Sequence, residues 1–166
     1  MYYFAIDIPY SASANDILRL KPAGLIISDG PEEAPELGDV ANNLKLLIGK
    51  IPILGIATGN LVLAMALGAK TNKLKVGHRG VNYPVQSPAA FKGEITVQNH
   101  AYVIDPSSLL KNKQIKITGY NLNDRTVEEI ESVKLKILGV QYLPVSPGFQ
   151  EISSVFRKFT KILQRS

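Results

Sequence analysis

The chain has 166 residues, of which 45% are hydrophobic and 20% are charged. This composition is sufficient for one domain with a sizeable buried core, and it excludes extended disorder. The longest apolar run, residues 60–69, is shorter than the ~20 residues that a membrane-spanning helix requires. The absence of cysteine excludes a cysteine nucleophile, a thiolate zinc site and an iron–sulfur cluster. Because no leader precedes the first apolar run either, we expect a cytoplasmic protein.

The net charge of +5 is unevenly distributed along the chain. Residues 151–166 carry four basic side chains against one acidic side chain. A second basic stretch, residues 70–79, contains no aromatic residue that could stack on a base. We therefore predict no nucleic-acid partner and no membrane partner.

The first 68 residues alternate between strand and helix patterns. In chain order, the patterns predict a strand at residues 2–6, a helix at 16–20 capped by Ser13, a strand at 25–28, a helix around 40–48, a strand at 51–56 and a helix at 61–68. The runs at 25–28 and 51–56 are apolar throughout, as is typical of parallel strands buried on both faces. The sequence therefore predicts an α/β fold with a mainly parallel sheet flanked by helices.

The second half has a different pattern of short alternating segments separated by turn residues. These segments, at 73–76, 94–97, 101–104, 114–117 and 127–130, predict a small antiparallel extension of the sheet. Residues 135–141 form another predicted strand, and residues 151–163 predict a closing amphipathic helix. The apolar face of this helix is formed by Ile152, Val155, Phe156, Phe159 and Ile162. With no internal repeat, one domain over residues 1–166 accounts for the chain.

Residues 55–60, Gly-Ile-Ala-Thr-Gly-Asn, connect a predicted strand to a predicted helix through small residues. This is the form of a nucleophile elbow, which holds one side chain above a helix N-terminus beside backbone amides that bind an oxyanion. The central residue is Ala57, whose side chain is not a nucleophile. From this motif alone, the turn is either an ordinary tight connection or the remains of a catalytic one.

Three further segments share a pattern with this turn. Residues 27–31 resemble an oxyanion-loop motif, S-N-G-P-G-D-P, and residues 96–102 resemble T-x-Q-N-H-G-F; residues 68–85 form the third segment. Together with the G-I-C-L-G-H elbow, these patterns resemble the class I glutamine amidotransferase family, specifically its carbamoyl phosphate synthetase small-subunit branch, over residues 2–163. The resemblance implies a flavodoxin-like sheet that starts at the family's second strand, so we expect the first strand and first helix to be missing.

The resemblance also implies a catalytic triad, in which a cysteine attacks glutamine, a histidine deprotonates the cysteine and a glutamate orients the histidine. The corresponding positions in this chain are Ala57, Leu143 and Val145. The only histidines, His78 and His100, lie in other matched segments. We therefore predict a pseudo-glutaminase. Its Ala57 should keep the strained backbone of an elbow, with Leu143 and Val145 packed towards it.

The substrate pocket implied by the resemblance is altered as well. Its positions are Gly30, Glu32, Thr58, Leu61, Asn99, Ala101 and Tyr102. The family pattern has glycine where this chain has Glu32, leucine in place of Thr58 and glutamine in place of Leu61. No cofactor and no metal are expected, because two histidines alone do not make a site and the acidic run 29–39 suits a solvated loop and helix start.

The predicted function is an inactive glutaminase-like subunit that binds or regulates another protein, such as a synthetase large subunit. Self-association is also expected, because a sheet that lacks a strand exposes an edge. One alternative is an enzyme with displaced chemistry, either an active amidotransferase or a hydrolase that uses Thr58 near His100. A second alternative is a small-molecule sensor that uses the vestigial pocket. His78 is assigned a structural role or a place at a partner interface.

Overall fold

The computed structural model describes residues 3–88, 93–146, 148 and 151–164. The helices are α1 (Ala14–Arg19), α2 (Leu37–Lys45), α3 (Thr58–Ala66), α4 (Pro106–Leu109) and α5 (Ser154–Leu163). The strands are β1 (Leu25–Ile27), β2 (Ile53–Ile56), β3 (Thr71–Gln86), β4 (Gly93–Ile104), β5 (Lys116–Asn121), β6 (Val127–Ser132) and β7 (Ile137–Val140).

The described strands form one sheet in the order β1-β2-β7-β6-β5-β3-β4. Strands β1, β2 and β7 are parallel, and the remaining neighbours are antiparallel. The α/β fold with parallel strands flanked by helices is therefore confirmed, and these strands form one end of the sheet. The antiparallel part is more extensive than the small extension predicted, because β3 has 16 residues and β4 has 12.

Helices cover both faces of the parallel strands. Ile53 and Ile137 face a cluster that contains the apolar sides of α1, α2 and α3. The next residue on each strand, Leu54 and Leu138, faces a second cluster that contains Val155 of α5. This alternation follows from the period of two along a strand, and it explains why these runs are apolar throughout.

The predicted strand at residues 2–6 is wrong for its described part, because residues 3–9 form neither helix nor strand. Phe4 is 97% exposed and Ile6 is 70% exposed. A β-rich sequence forms a strand only where it gains a ladder partner and a buried face, and these side chains have no buried face. The predicted helix cap at Ser13 is confirmed, since Ser13 Oγ caps α1 by accepting from the backbone N–H of Asp16 at 3.2 Å.

The antiparallel segments are longer than their sequence patterns indicated. The segment at 73–76 is only the start of β3, and the segments at 94–97 and 101–104 belong to the single strand β4. Strands β3 and β4 form a long hairpin whose pairing shifts register at two places in β3. This hairpin is connected to β5 by only two residue pairs, Val85 with Asn121 and Gln86 with Tyr120.

The closing helix is shorter than predicted. It begins at Ser154, after the N-cap Ser153. Ile152 therefore lies outside the helix and is exposed, which corrects its place on the apolar face. Val155 and Phe159 are buried against the sheet, and Phe156 and Ile162 pack beside them as predicted.

Candidate site at the strand-to-helix elbow

Ala57 stands at the apex of the turn between β2 and α3. Its backbone has φ 50° and ψ −113°, in a region that residues with a side chain rarely adopt. Its N–H donates to the carbonyl of Val140 at 2.8 Å, which ties the apex to the end of β7. The predicted strain at Ala57 is confirmed, and such a conformation costs about 1–3 kcal/mol.

The side chain of Ala57 is buried in an apolar cluster that includes Val140, Tyr142 and Phe159. Leu143 packs against this cluster and donates its N–H to Val97 O at 2.9 Å, so its predicted place is confirmed. The prediction for Val145 is wrong, because this side chain is 54% exposed. A tight turn, in which Val145 N–H donates to Leu143 O at 2.9 Å, directs Val145 away from the cluster.

Asp29 occupies the anion-binding side of the elbow. Its Oδ1 accepts from the N–H of Gly30 at 2.8 Å and from the N–H of Thr58 at 3.3 Å. The N–H that follows a nucleophile, together with an N–H from a nearby loop, is the usual oxyanion hole of this turn. The chain's own carboxylate therefore lies where those two amides point. The hydroxyl oxygen of Thr58 lies 3.0 Å from the same Oδ1 and 2.5 Å from Gly30 O.

Glu32 occupies a second pair of amides, on β4. Its Oε2 accepts from the N–H of Ala101 at 2.7 Å, and its Oε1 accepts from the N–H of Tyr102 at 3.2 Å. The neighbouring Glu33 accepts from the Tyr102 hydroxyl at 3.1 Å and forms an ion pair with Lys73. Hydrogen bonds from Lys73 and then from Tyr102 hold the pKa of Glu33 below its usual value. The loop of residues 28–36 is thus attached to the hairpin.

The other predicted pocket positions are distributed over separate environments. Leu61 is buried among apolar residues of α3 and the antiparallel strands, so it is a core residue and does not line a polar pocket. Asn99 is exposed on β4. A cavity of about 380 Å³ lies beside Gly30, Thr58 and Gly59, and its opposite wall includes Tyr10, Leu37 and Val62.

The structure also places a group of polar side chains inside the antiparallel part of the sheet. His78 Nδ1 lies 2.8 Å from Gln98 Oε1, and His100 Nε2 lies 3.1 Å from the same oxygen. Glu128 is fully buried, with its Oε1 3.8 Å from His78 Nδ1. No sequence pattern grouped the two histidines, and neither Gln98 nor Glu128 was predicted as a site residue. The period of two along a strand could have indicated their burial, because residues 98 and 100 share a face of β4 with buried Thr96.

Burial changes the ionisation of two of these groups. Burial, followed by the nearby charge of His78, lowers the pKa of His100 to about 4. Burial raises the pKa of Glu128 to about 7, although Asn121 donates a hydrogen bond to its Oε1 at 3.1 Å. The second oxygen of this carboxyl group, Oε2, has no hydrogen-bond partner among the described residues.

The family model for glutamine amidotransferase class-I matches residues 4–162. The chain belongs to the class I glutamine amidotransferase family. This membership agrees with the elbow at Ala57 and with the parallel strands on either side of it. In the described part of the amidotransferase domain, no helix is both long enough and apolar enough to cross a bilayer.

Sequence relatives of this amidotransferase domain are carbamoyl phosphate synthase small chains. The protein of that name from Bacillus cereus is 40% identical over 160 residues, which cover 96% of this chain and 44% of the relative. The one from Oceanobacillus iheyensis is 41% identical over 160 residues and 43% of its own length. The chain therefore spans less than half the length of these relatives.

A solved structure shares the fold. The crystal structure of a putative GMP synthase subunit from Thermoplasma acidophilum superposes with a TM-score of 0.76 and 21% identity, over 95% of this chain and 80% of that chain. A glutamine amidotransferase from Thermotoga maritima has a TM-score of 0.53 and 19% identity over 71% of this chain and 55% of that chain.

Proposed function

We propose that this chain is a catalytically inactive member of its family that acts as a protein-binding or regulatory subunit. The observation that carries the proposal is the occupation of both amide pairs by the chain's own carboxylates. Asp29 accepts from Gly30 and Thr58, and Glu32 accepts from Ala101 and Tyr102. An incoming carbonyl oxygen would have to displace Asp29 before these donors could stabilise a developing oxyanion.

The absence of a nucleophile at the apex supports the same proposal. The methyl group of Ala57 lies in an apolar cluster, and Leu143 adds another apolar side chain beside it. The nearest hydroxyl, on Thr58, is engaged by Asp29 and by Gly30 O. Both ring nitrogens of His100 lie against other groups, Nδ1 at 3.0 Å from Tyr102 O and Nε2 at 3.1 Å from Gln98 Oε1, so this imidazole does not serve Thr58 as a base.

The partner we propose is a synthetase large subunit, because the sequence relatives are named as small chains of a synthase. The proposed docking surface is the β3–β4 hairpin. Val76 and Val81 of β3 are 81% and 73% exposed, and Ile95 of β4 is 68% exposed. A contiguous patch of exposed apolar side chains is typical of a protein-binding surface, and these three side chains are proposed to contribute to one.

A small-molecule sensor is the second candidate function, and the cavity beside Thr58 favours it. This cavity of about 380 Å³ is lined mainly by apolar groups, and Asp29 is among its lining residues. Such a pocket would suit a small, largely apolar ligand with a hydrogen-bond donor. Ligand-induced protection of Tyr10, measured by hydrogen exchange, would favour the sensor.

The catalytic half of the proposal is tested by incubating the purified chain with glutamine and measuring ammonia. We expect no release above the blank. Turnover that disappears in the Thr58→Ala variant would overturn the proposal in favour of an enzyme with displaced chemistry.

The binding half is tested by mixing the chain with a purified carbamoyl phosphate synthase large chain and measuring co-elution and affinity. We expect a complex that Val81→Asp weakens at least tenfold. The matched control is Val133→Asp, since Val133 is 83% exposed on the turn between β6 and β7. Equal loss with both variants, or no complex with the unchanged chain, would contradict the proposed surface and partner.

A further inference from the structure

A buried polar cluster, made of His78, Gln98, His100 and Glu128, lies where the hairpin meets the rest of the sheet. His78 is on β3, Gln98 and His100 are on β4, and Glu128 is on β6. All four side chains are buried. Burial of polar groups costs free energy unless each group has a hydrogen-bond partner. The donors and acceptors in this cluster therefore have to match.

The outer nitrogen of each imidazole has a fixed role. His78 Nε2 donates to Asp124 Oδ2 at 2.9 Å, and His100 Nδ1 donates to the carbonyl of Tyr102 at 3.0 Å. A neutral imidazole carries a single N–H. When both rings are neutral, the inner nitrogens, His78 Nδ1 and His100 Nε2, present lone pairs to the centre of the cluster.

The oxygen atoms around these nitrogens also present lone pairs. Gln98 Oε1 lies 2.8 Å from His78 Nδ1 and 3.1 Å from His100 Nε2. Glu128 Oε1 lies 3.8 Å from His78 Nδ1, and Glu128 Oε2 has no hydrogen-bond partner among the described residues. Acceptors that face one another in a buried space repel unless a positive centre lies between them.

We propose that this cluster binds a divalent first-row transition metal ion, for which Zn²⁺ is the best fit. The ligands are His78 Nδ1, His100 Nε2, a carboxylate oxygen of Glu128 and Gln98 Oε1. The two imidazoles and Glu128 each offer one ligand atom, and these atoms lie within 4.8 Å of one another. A tetrahedral zinc site holds its ligand atoms roughly 3.3 Å apart, so small side-chain shifts would complete the site.

The surroundings have the features of a metal site. Histidines that bind a metal usually donate their other N–H to a carboxylate or a backbone carbonyl, as His78 does to Asp124 and His100 does to Tyr102. Four protein ligands leave no open position, which is typical of a structural ion and not of a catalytic one. The ion would join β3 and β4 to β6, beside the junction where β3 and β5 share only two residue pairs.

The competing arrangement is a turned amide at Gln98. With its NH₂ group towards the imidazoles, Gln98 would donate to both inner nitrogens. Its oxygen would then lie 3.2 Å from the Thr96 hydroxyl, which would have to give up its hydrogen bond to Tyr83 O in order to donate to Gln98. The cluster would then be satisfied by hydrogen bonds and would have no affinity for a cation. The two arrangements differ in one measurable property, which is metal binding.

The experiment titrates EDTA-treated, dialysed protein with Zn²⁺ and, separately, with Co²⁺. We expect one ion per chain, a Co²⁺ visible spectrum typical of tetrahedral coordination, and a rise in the thermal midpoint of roughly 5–10 °C at a hundredfold excess of Zn²⁺ over its dissociation constant. Failure to bind either ion, with an unchanged midpoint, would overturn the proposal.

The decisive variant is Glu128→Gln, which keeps the size of the side chain but removes the carboxylate. We expect its Zn²⁺ affinity to fall at least tenfold, while Glu36→Gln, on the exposed start of α2, keeps the affinity of the unchanged chain. Zinc binding that is unaffected by Glu128→Gln would place the ion elsewhere and overturn the proposal.

A second measurement does not depend on the folding of a variant. The chain has two histidines, so the ¹⁵N signals of their rings are readily assigned. We expect Zn²⁺ to shift the ¹⁵N signals of His78 Nδ1 and His100 Nε2. The signals of the protonated nitrogens on the other side of each ring should stay unchanged. Shifts at neither inner nitrogen would overturn the proposed ligand set.

Discussion

The Oδ1 atom of Asp29 lies 3.3 Å from the backbone nitrogen of Thr58, the residue directly after the apex of the elbow. This contact brings a negative charge to the N-terminal end of α3, where the N–H groups and the helix dipole favour an anion. The same property would make these groups suitable for a reacting oxyanion. Asp29 and the oxyanion of a transition state would therefore compete for the same N–H groups.

The first prediction concerns restoration of the triad positions. The variant with Ala57→Cys, Leu143→His and Val145→Glu should release little or no ammonia from glutamine. Asp29 and Glu32 would still occupy the amides, and the exposed position 145 would not bring a glutamate to the histidine. Adding Asp29→Asn and Glu32→Gly should raise the rate at least tenfold, since one lost oxyanion donor typically costs ~10²–10³ in rate.

The matched control adds Glu36→Gly and Asp39→Asn to the same three changes. Both residues are exposed acidic positions near the loop, and neither accepts from these amides. The control should remain as inactive as the triple variant. Leu61→Gln is left out of both variants because it would bury an amide in an apolar cluster. A triple variant that worked at ordinary enzymatic rates would show that the two carboxylates do not block the site.

The second prediction concerns the strain at Ala57. Glycine adopts positive φ at little cost, so Ala57→Gly should leave the free energy of unfolding unchanged or raise it by up to about 1 kcal/mol. Ala64→Gly, at a buried position inside α3, should lower that free energy by about 1 kcal/mol because glycine is a poor helix former. Urea denaturation of the three proteins measures both differences. Equal destabilisation by the two variants would argue against strain at the elbow.

Local patterns predicted the features that depend on neighbouring residues. The Ser13 cap of α1 and the turn at Ala57 are set within a few positions of the chain. The hairpin was divided too finely because Gly77, Gly80 and Pro84 are turn-forming residues by sequence. In the sheet they lie within β3, whose register shifts absorb the irregular backbone.

The contacts that define the site are non-local, and no local pattern reports them. Asp29 reaches Thr58 across 29 positions, and Glu32 reaches Ala101 across 69 positions. From residue pattern alone, the acidic run 29–39 suited a solvated loop, and only the family resemblance placed Glu32 at the pocket. Glu128 was equally hidden, because a single carboxylate in a β pattern does not reveal which face of its strand becomes buried.

The third prediction concerns Tyr142 at alkaline pH. Its buried hydroxyl donates to Glu129 Oε1 at 2.6 Å. Burial, and then the charge of Glu129, raises the pKa of Tyr142 well above its usual value. The folded state therefore keeps a proton that the unfolded state loses near pH 10. This contribution to stability is fully present below pH 10 and declines above it, by up to about 1.4 kcal/mol per pH unit.

Denaturation of the unchanged chain between pH 9 and pH 11 should show this decline. Tyr142→Phe should make the free energy of unfolding fall less steeply with pH. Tyr10→Phe, at an exposed position, should retain the slope of the unchanged chain. The Tyr142→Phe protein should also be less stable at neutral pH by about 1 kcal/mol, the usual loss with one hydrogen bond. Identical alkaline slopes in all three proteins would contradict a protonated, buried Tyr142.

The fourth prediction concerns Gly59, which allows α3 to approach β1 closely enough for Asp29 to reach Thr58. A Cβ atom at position 59 would overlap with Ile27 O, and this neighbour is backbone that cannot rotate away. Gly59→Ala should therefore lower the free energy of unfolding by about 3 kcal/mol or more, as overpacking against a fixed strand requires.

Gly38→Ala is the matched control in α2, because a Cβ there meets nothing within 4 Å. The control should be neutral or stabilising by up to about 1 kcal/mol, since alanine is the better helix former. Denaturant unfolding measures both variants, and a Gly59→Ala protein as stable as the Gly38→Ala protein would show that α3 does not lie against the end of β1.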